Sequence, residues 1–127
     1  MATTTAEAIT GGKLPGLSIE SLRIGNTVQY AVSAAGSTNA DATQINAGVS
    51  RVICTTVGAG QGVRLPAANR GDQVLVVNNQ GTNALLVYPG TGNRMNAGTV
   101  TTVGATVAVN SSRLFTRVND ASTEWVG

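Results

Sequence analysis

The chain is 127 residues long, 42% hydrophobic and only 11% charged, with a net charge of +2, no histidine and a single cysteine. That length suits one domain with a sizeable core. The absent histidine removes the commonest general base, the imidazole metal ligand and every Ser–His or Cys–His pair, and one cysteine excludes an internal disulfide.

Residues 1–16, "MATTTAEAITGGKLPG", are small and polar and are broken by Gly11-Gly12 and Pro15-Gly16. They cannot bury enough apolar area to fold alone, so they read as an extended N-terminal arm, either frayed or ordered against a neighbouring chain. The arm has neither the basic nor the apolar region of a secretion signal, which points to synthesis in a cytosol-like compartment. No run approaches the roughly 18 apolar residues of a membrane span.

The body, residues 17–127, reads as one β domain. In "LSIESLRIGN" Leu17, Ile19, Leu22 and Ile24 suggest strand, with a short helix over "SIESLRI" as the second choice and Gly25-Asn26 as a turn signal. "TVQYAVSA" alternates Val28, Tyr30 and Val32 with polar or small neighbours, the pattern of a half-buried strand. Residues 35–50 read as a loop. "VSRVICTTV", "VRLP", "DQVLVVNN", "NALLVYP", "TVTTVGATVAV", "RLFTRV" and "STEWV" follow as short β-branched segments separated by Gly, Asn and Pro turns. Spacings of about 8 to 12 residues between such segments mark a sandwich or barrel. No segment sustains a 3.6-residue apolar period, and no internal repeat stands out. The expected fold is therefore all-β, a single antiparallel β-sandwich or barrel of jelly-roll type behind an N-terminal arm. Within it "VLVVNNQGTNALLVYPG", residues 74–90, reads as a β-hairpin about Gln80-Gly81. Its two arms are apolar almost throughout, so both faces should be covered, one by the core and one by a neighbouring chain or second sheet.

The inventory of chemistry is short. Asp72 and Asp120 sit in turn signals, and Glu7 lies in the arm. Asp41 and Glu124 are not joined by any pattern that would make them a catalytic pair. "GAGQG" at 58–62 leads into Leu65-Pro66 and not into a helix, so it reads as a turn, not a phosphate loop. Arg70-Gly71-Asp72 reads the same way. Cys54 lies in an apolar run with no activating base and is expected to be a buried structural thiol. Trp125, the single candidate for a sugar contact, is expected to be packed. The reading is of a protein that is not an enzyme, with no cofactor and no metal site.

The charge-poor composition hints at surface covered by partners, although a surface of neutral Thr, Asn and Ser would serve solubility too. The seven arginines are scattered and are not interleaved with the four aromatics, Tyr30, Tyr88, Phe115 and Trp125. That argues against nucleic-acid binding. The preference for Arg over Lys fits bidentate pairing at subunit contacts.

At "DATQINAG" (41–48) and "GVRLPAANRGDQVLVVNNQGTNALLVYPGTGNRMNAG" (62–98) the chain resembles small structural proteins from the virion modules of tailed bacteriophages. Within that group it is most similar to capsid decoration (cement) proteins. The resemblance implies a homotrimer seated on the outer surface of the capsid, with the major capsid protein as partner, no nucleic acid and no membrane, after synthesis in the host cytoplasm. It also implies an arm pinned on the capsid, with Thr4, Ala8, Ile9, Lys13 and Leu14 as the expected contacts. Leu86, Tyr88 and Arg94 are the expected protomer–protomer contacts. The alternative is a tail, baseplate or fibre module that touches the host surface.

Overall fold

The β-branched runs do form strands, and the chain is all-β over the residues that the computed structural model describes, 27–97, 104–119 and 124–127. Ten strands among these residues build two mixed sheets. The larger contains β1 (Val28–Ser33), β3 (Arg51–Thr56), β5 (Gln73–Asn78), β7 (Arg94–Met95), β9 (Ser111–Asn119) and β10 (Glu124–Val126), in the order β1-β3-β5-β9-β10-β7. The smaller contains β2 (Thr43–Gln44), β4 (Gly62–Arg64), β6 (Leu85–Tyr88) and β8 (Ala105–Val107), in the order β2-β4-β6-β8.

From β1 to β8 the chain changes sheet at every step, and β1, β2, β3, β4 and β6 each pair with the strand two places on in the sequence. β1, β3 and β5 are parallel neighbours in one sheet, and β2, β4 and β6 in the other. The result is three stacked turns of a flattened coil. Between the second and third turns the register is the same in both sheets: Arg51 lies beside Leu75 and Gly62 beside Leu86, each 24 residues on. The stack is then closed at one end by reversal. β9 runs antiparallel along β5 and β8 antiparallel along β6, while β7 leaves the stack to pair with β10. At this end the sheets finish on the short strands β7 and β8, and short edge strands offer little to another chain.

Two expectations are corrected here. The fold is not an antiparallel jelly roll, because five of the eight strand pairings among the described residues are parallel. Residues 74–90 are not a hairpin either. The turn about Gln80-Gly81 exists, with Gln80 Oε1 accepting from the amides of Thr82 and Asn83 at 2.9 and 2.8 Å. It carries the chain from one sheet to the other, so β5 and β6 never pair. The physical reason lies in the arch itself. Asn78 Nδ2 donates to Asn83 O (2.9 Å) and Val107 O (3.3 Å), and Asn83 Nδ2 donates to Val57 O of the preceding arch (2.9 Å). Two buried or half-buried amides thus hold one arch upon the next, in place of a tight two-strand ladder.

Short pieces of strand also appear where loop was expected, at β2 and β7, since two-residue strands carry too little pattern to read. β1 departs from its alternation. Ala31 takes a left-handed φ of 56° and the register slips on both sides of Val32. Val32 is buried, but Val28 and Tyr30 are exposed. A bulge of this kind blunts an edge strand.

The inward residues of both sheets form one hydrophobic cluster, with Val52, Cys54, Val76, Phe115 and Trp125 from the larger sheet and Val63, Leu85, Val87 and Val107 from the smaller. Cys54 and Trp125 are fully buried, as expected of each. The arm, the segment at 17–26 and Val100 and Val103 lie outside the described residues.

Candidate interaction surface

Alternation along each strand sends every second residue away from the core, and the two outer faces turn out to be finished in different ways. On the smaller sheet the outward residues of β4 and β6 include Gly62, Arg64, Leu86 and Tyr88. Residues 35–41 of the same chain lie over them. Tyr88 Oη donates to Ser37 O at 2.8 Å, Arg64 Nη1 donates to Asn39 O at 3.1 Å, and Asn39 Nδ2 donates to Pro89 O. The Tyr88 ring lies against Gly62 and Gly104. A Cβ at Gly62 would sit 2.8 Å from Tyr88 Cε2, and one at Gly104 3.1 Å from Cδ1. Glycine is required at Gly62 because the ring and the Leu86 carbonyl already occupy that space.

The covering loop is itself locked. Asp41 Oδ1 accepts from Thr38 Oγ1 (2.7 Å), Thr38 N (2.8 Å) and Ser37 N (3.1 Å). These bonds hold its carboxyl below the ordinary value. Burial, with a smaller contribution from the Asp41 charge, pushes the Tyr88 phenol up.

The larger sheet is finished differently. Val74, Val76 and Asn78 of β5 point inward and are buried, so Leu75 and Val77 face outward and are only half-buried. Ile53 of β3 stands in the same position. Leu114, Val118 and Val126 are 46%, 41% and 45% exposed. Over β3, β5 and β9 the outward residues carry a single charge, Arg51. At the start of β3 and β5 this face opens into a groove of about 1020 Å³, walled by Val49, Pro66, Ala67, Leu75 and Leu114, with Arg51 and Asp72 as its charged residues.

Of the residues expected at protomer contacts, Tyr88 is 6% exposed and engaged within its own chain. Leu86 is half-buried on the same face, and Arg94 is half-exposed in β7 of the other sheet. The structure therefore does not gather the three into one patch. Thr4, Ala8, Ile9, Lys13 and Leu14 lie outside the described residues. The signal that sequence reading passed over was the outward row Ile53, Leu75, Val77 and Leu114, whose members come together only through the antiparallel pairing of β5 with β9 and the parallel register of β3 with β5. One clue to that register was available: Asn69-Arg70 and Asn93-Arg94 stand 24 residues apart.

Other polar groups serve the backbone. Asp72 closes the turn at Arg70-Gly71-Asp72, its Oδ2 accepting from Asn69 N at 2.8 Å, with Gly71 at a φ of 94°. Glu124 Oε1 accepts from Ala97 N at 2.7 Å, so Asp41 and Glu124 serve separate turns. Arg113 Nη1 donates to Thr106 O at 3.1 Å, and its guanidinium lies 5.9 Å from the Phe115 ring centre. Among the described residues no three of His, Cys, Asp or Glu converge as a metal site. Burial pushes the Cys54 thiol up to about 11. Compared with known proteins, the chain matches no family model, and no curated protein matches it.

Proposed function

We propose that this chain is a capsid decoration (cement) protein of a tailed bacteriophage, with a structural and not a catalytic role on the surface of the virion. It associates as a homotrimer, binds the assembled shell and not its separated subunits, and so stabilises the shell by mass action. Repeated over many copies, modest contacts sum to a large resistance to disassembly. The reading rests on the resemblance at 41–48 and 62–98.

The observation that supports it best is the outer face of the six-stranded sheet. Leu114, Val118 and Val126 are exposed on a face almost without charge. An exposed apolar patch of this kind marks a contact surface, and most oligomers are built from copies of one chain. Because Tyr88 is already taken up by its own chain, we assign the self-contact to Leu114, Val118 and Val126. The arm, through Thr4, Ala8, Ile9, Lys13 and Leu14, is left to reach the major capsid protein.

The test has two parts. Light scattering should give a trimer at micromolar concentration, and Val118→Asp with Val126→Asp should give a folded monomer. Sedimentation with purified particles should find the protein on DNA-filled heads, and deletion of residues 1–16 should lower its occupancy there. A stable wild-type monomer, or sedimentation with tails instead of heads, would overturn the reading, the second outcome in favour of a tail, baseplate or fibre module.

A further inference from the structure

A ring of three copies is closed by a head-to-tail contact, so each copy must present two different patches, one that it gives and one that it receives. Leu114, Val118 and Val126 belong to the first, and the second rests on the trimer proposed above. The same sheet face carries a feature of the right kind, the groove at the start of β3 and β5. Leu114 also lines that groove, so the two patches adjoin.

The patch that is given lies on the β9–β10 side. Trp125 of β10 and Met95 of β7 point inward and are buried, so Glu124, Val126 and Arg94 point outward. Glu124 and Arg94 are direct neighbours in the parallel register. The exposed Val118 and Val126 therefore stand beside one anion and one cation.

The groove lies over β3 and β5. Val49, Pro66, Ala67 and Leu75 wall it, and its charges are one cation, Arg51, and one anion, Asp72. No aromatic ring lines it to stack a sugar or a nucleobase. Small apolar walls with a charge of each sign complement two valines with a charge of each sign. Both carboxylates are held in place by a backbone amide, Asp72 by Asn69 N and Glu124 by Ala97 N, at 2.8 and 2.7 Å. A carboxylate has two oxygens, so each can accept from an arginine as well.

We propose that the groove receives Val118 and Val126 of a second copy, with Arg51 opposite that copy's Glu124 and Asp72 opposite its Arg94. One chain cannot make this contact with itself, because β5 and β10 are held two strand spacings apart in one sheet, about 10 Å. Repeated three times, the contact closes the ring.

The test uses the full chain with Cys54→Ser, into which Leu75→Cys in the groove and Val126→Cys on the patch are introduced singly and together. A disulfide needs Cα atoms within about 7 Å, which the two positions of one chain do not meet. Under a mild oxidant only the double variant should crosslink, and its ladder should stop at a covalent trimer. Ala67 is an exposed groove wall outside the patch that is given. Ala67→Asp should fold and should raise the concentration at which the trimer dissociates at least about tenfold, because it sets an unpaired charge against the valines. A wild-type monomer in light scattering would sink the trimer and this contact together. A wild-type trimer that forms no covalent species in the double variant, or that Ala67→Asp leaves unchanged, would overturn the contact alone and leave the groove to another occupant. Crosslinking of Val126→Cys by itself would overturn it in favour of patch against patch, and a ladder that stops at two would do so in favour of a two-fold pair.

Discussion

Changing Tyr88 to Phe or to Ala separates the contribution of its hydroxyl from that of its ring. The hydroxyl donates to Ser37 O at 2.8 Å. Ser37 is exposed, so its carbonyl can turn to water when the donor is lost, and Tyr88→Phe should cost about 0.5–1 kcal/mol, the low end for a hydrogen bond. The ring fills the space beside Gly62 and Gly104, neither of which has a side chain to move into the gap. Tyr88→Ala should therefore cost about 3 kcal/mol or slightly more, near the value for large aromatic truncations. With a urea slope of about 2 kcal/mol per molar, the Ala variant should unfold roughly 1.5 M earlier and the Phe variant no more than about 0.5 M earlier. Equilibrium unfolding at one fixed protein concentration, followed by tryptophan fluorescence from Trp125, measures both midpoints. Equal losses for the two variants, or an Ala variant within about 0.5 kcal/mol of the parent, would refute the role assigned to the ring.

The remaining expectations concern three further sites. Gly62→Ala places a methyl group 2.7 Å from Leu86 O and 2.8 Å from the Tyr88 ring, and should destabilise by about 1–3 kcal/mol. Part of that loss should disappear in the Tyr88→Ala background, a coupling that unfolding of the double mutant would reveal. Cys54 should resist a thiol reagent in the native state and react only as fast as the chain unfolds. Its pKa is raised from 9.0 to about 11, so the unfolded chain loses this proton first and stability falls as pH rises between those values. Cys54→Ser should shrink that alkaline slope, leaving the part due to Tyr88, and should cost about 1–3 kcal/mol for burying a hydroxyl. Asp41 has a lowered pKa, so its contribution is present above the unfolded value and is lost as pH falls through the folded one. Asp41→Asn should flatten the acid limb of the stability profile and speed hydrogen exchange at residues 36–41, whereas an unchanged acid limb would contradict the bonding at Thr38.

By itself, the sequence determined the longer strands but not the two-residue ones, β2 and β7. β-branched and aromatic residues in "RVICTT", "QVLVVN" and "LLVY" disfavour helix and favour a pleated, half-buried surface, and each became a strand. It also pointed to burial of Cys54 and Trp125, because a free thiol behaves as a small hydrophobe and an indole carries a large apolar area. It did not determine which strand meets which. Asn-Gln-Gly between two apolar runs serves a hairpin and an arch equally well, since the turn signal reports that the chain bends and not through what angle. The choice was made by distant groups, with Asn78 and Asn83 binding backbone at Val107 and Val57, and by the packing of Val76 and Leu85 into one core from opposite sheets. Outer faces followed from that choice. Tyr88 found Ser37, 51 residues away in sequence, and is covered, while Leu75 came to lie between Arg51 and Leu114 and is only half-buried. Alternation along a strand fixes that a residue has an outward face, but only the pairing of strands far apart in the chain decides what lies beyond it.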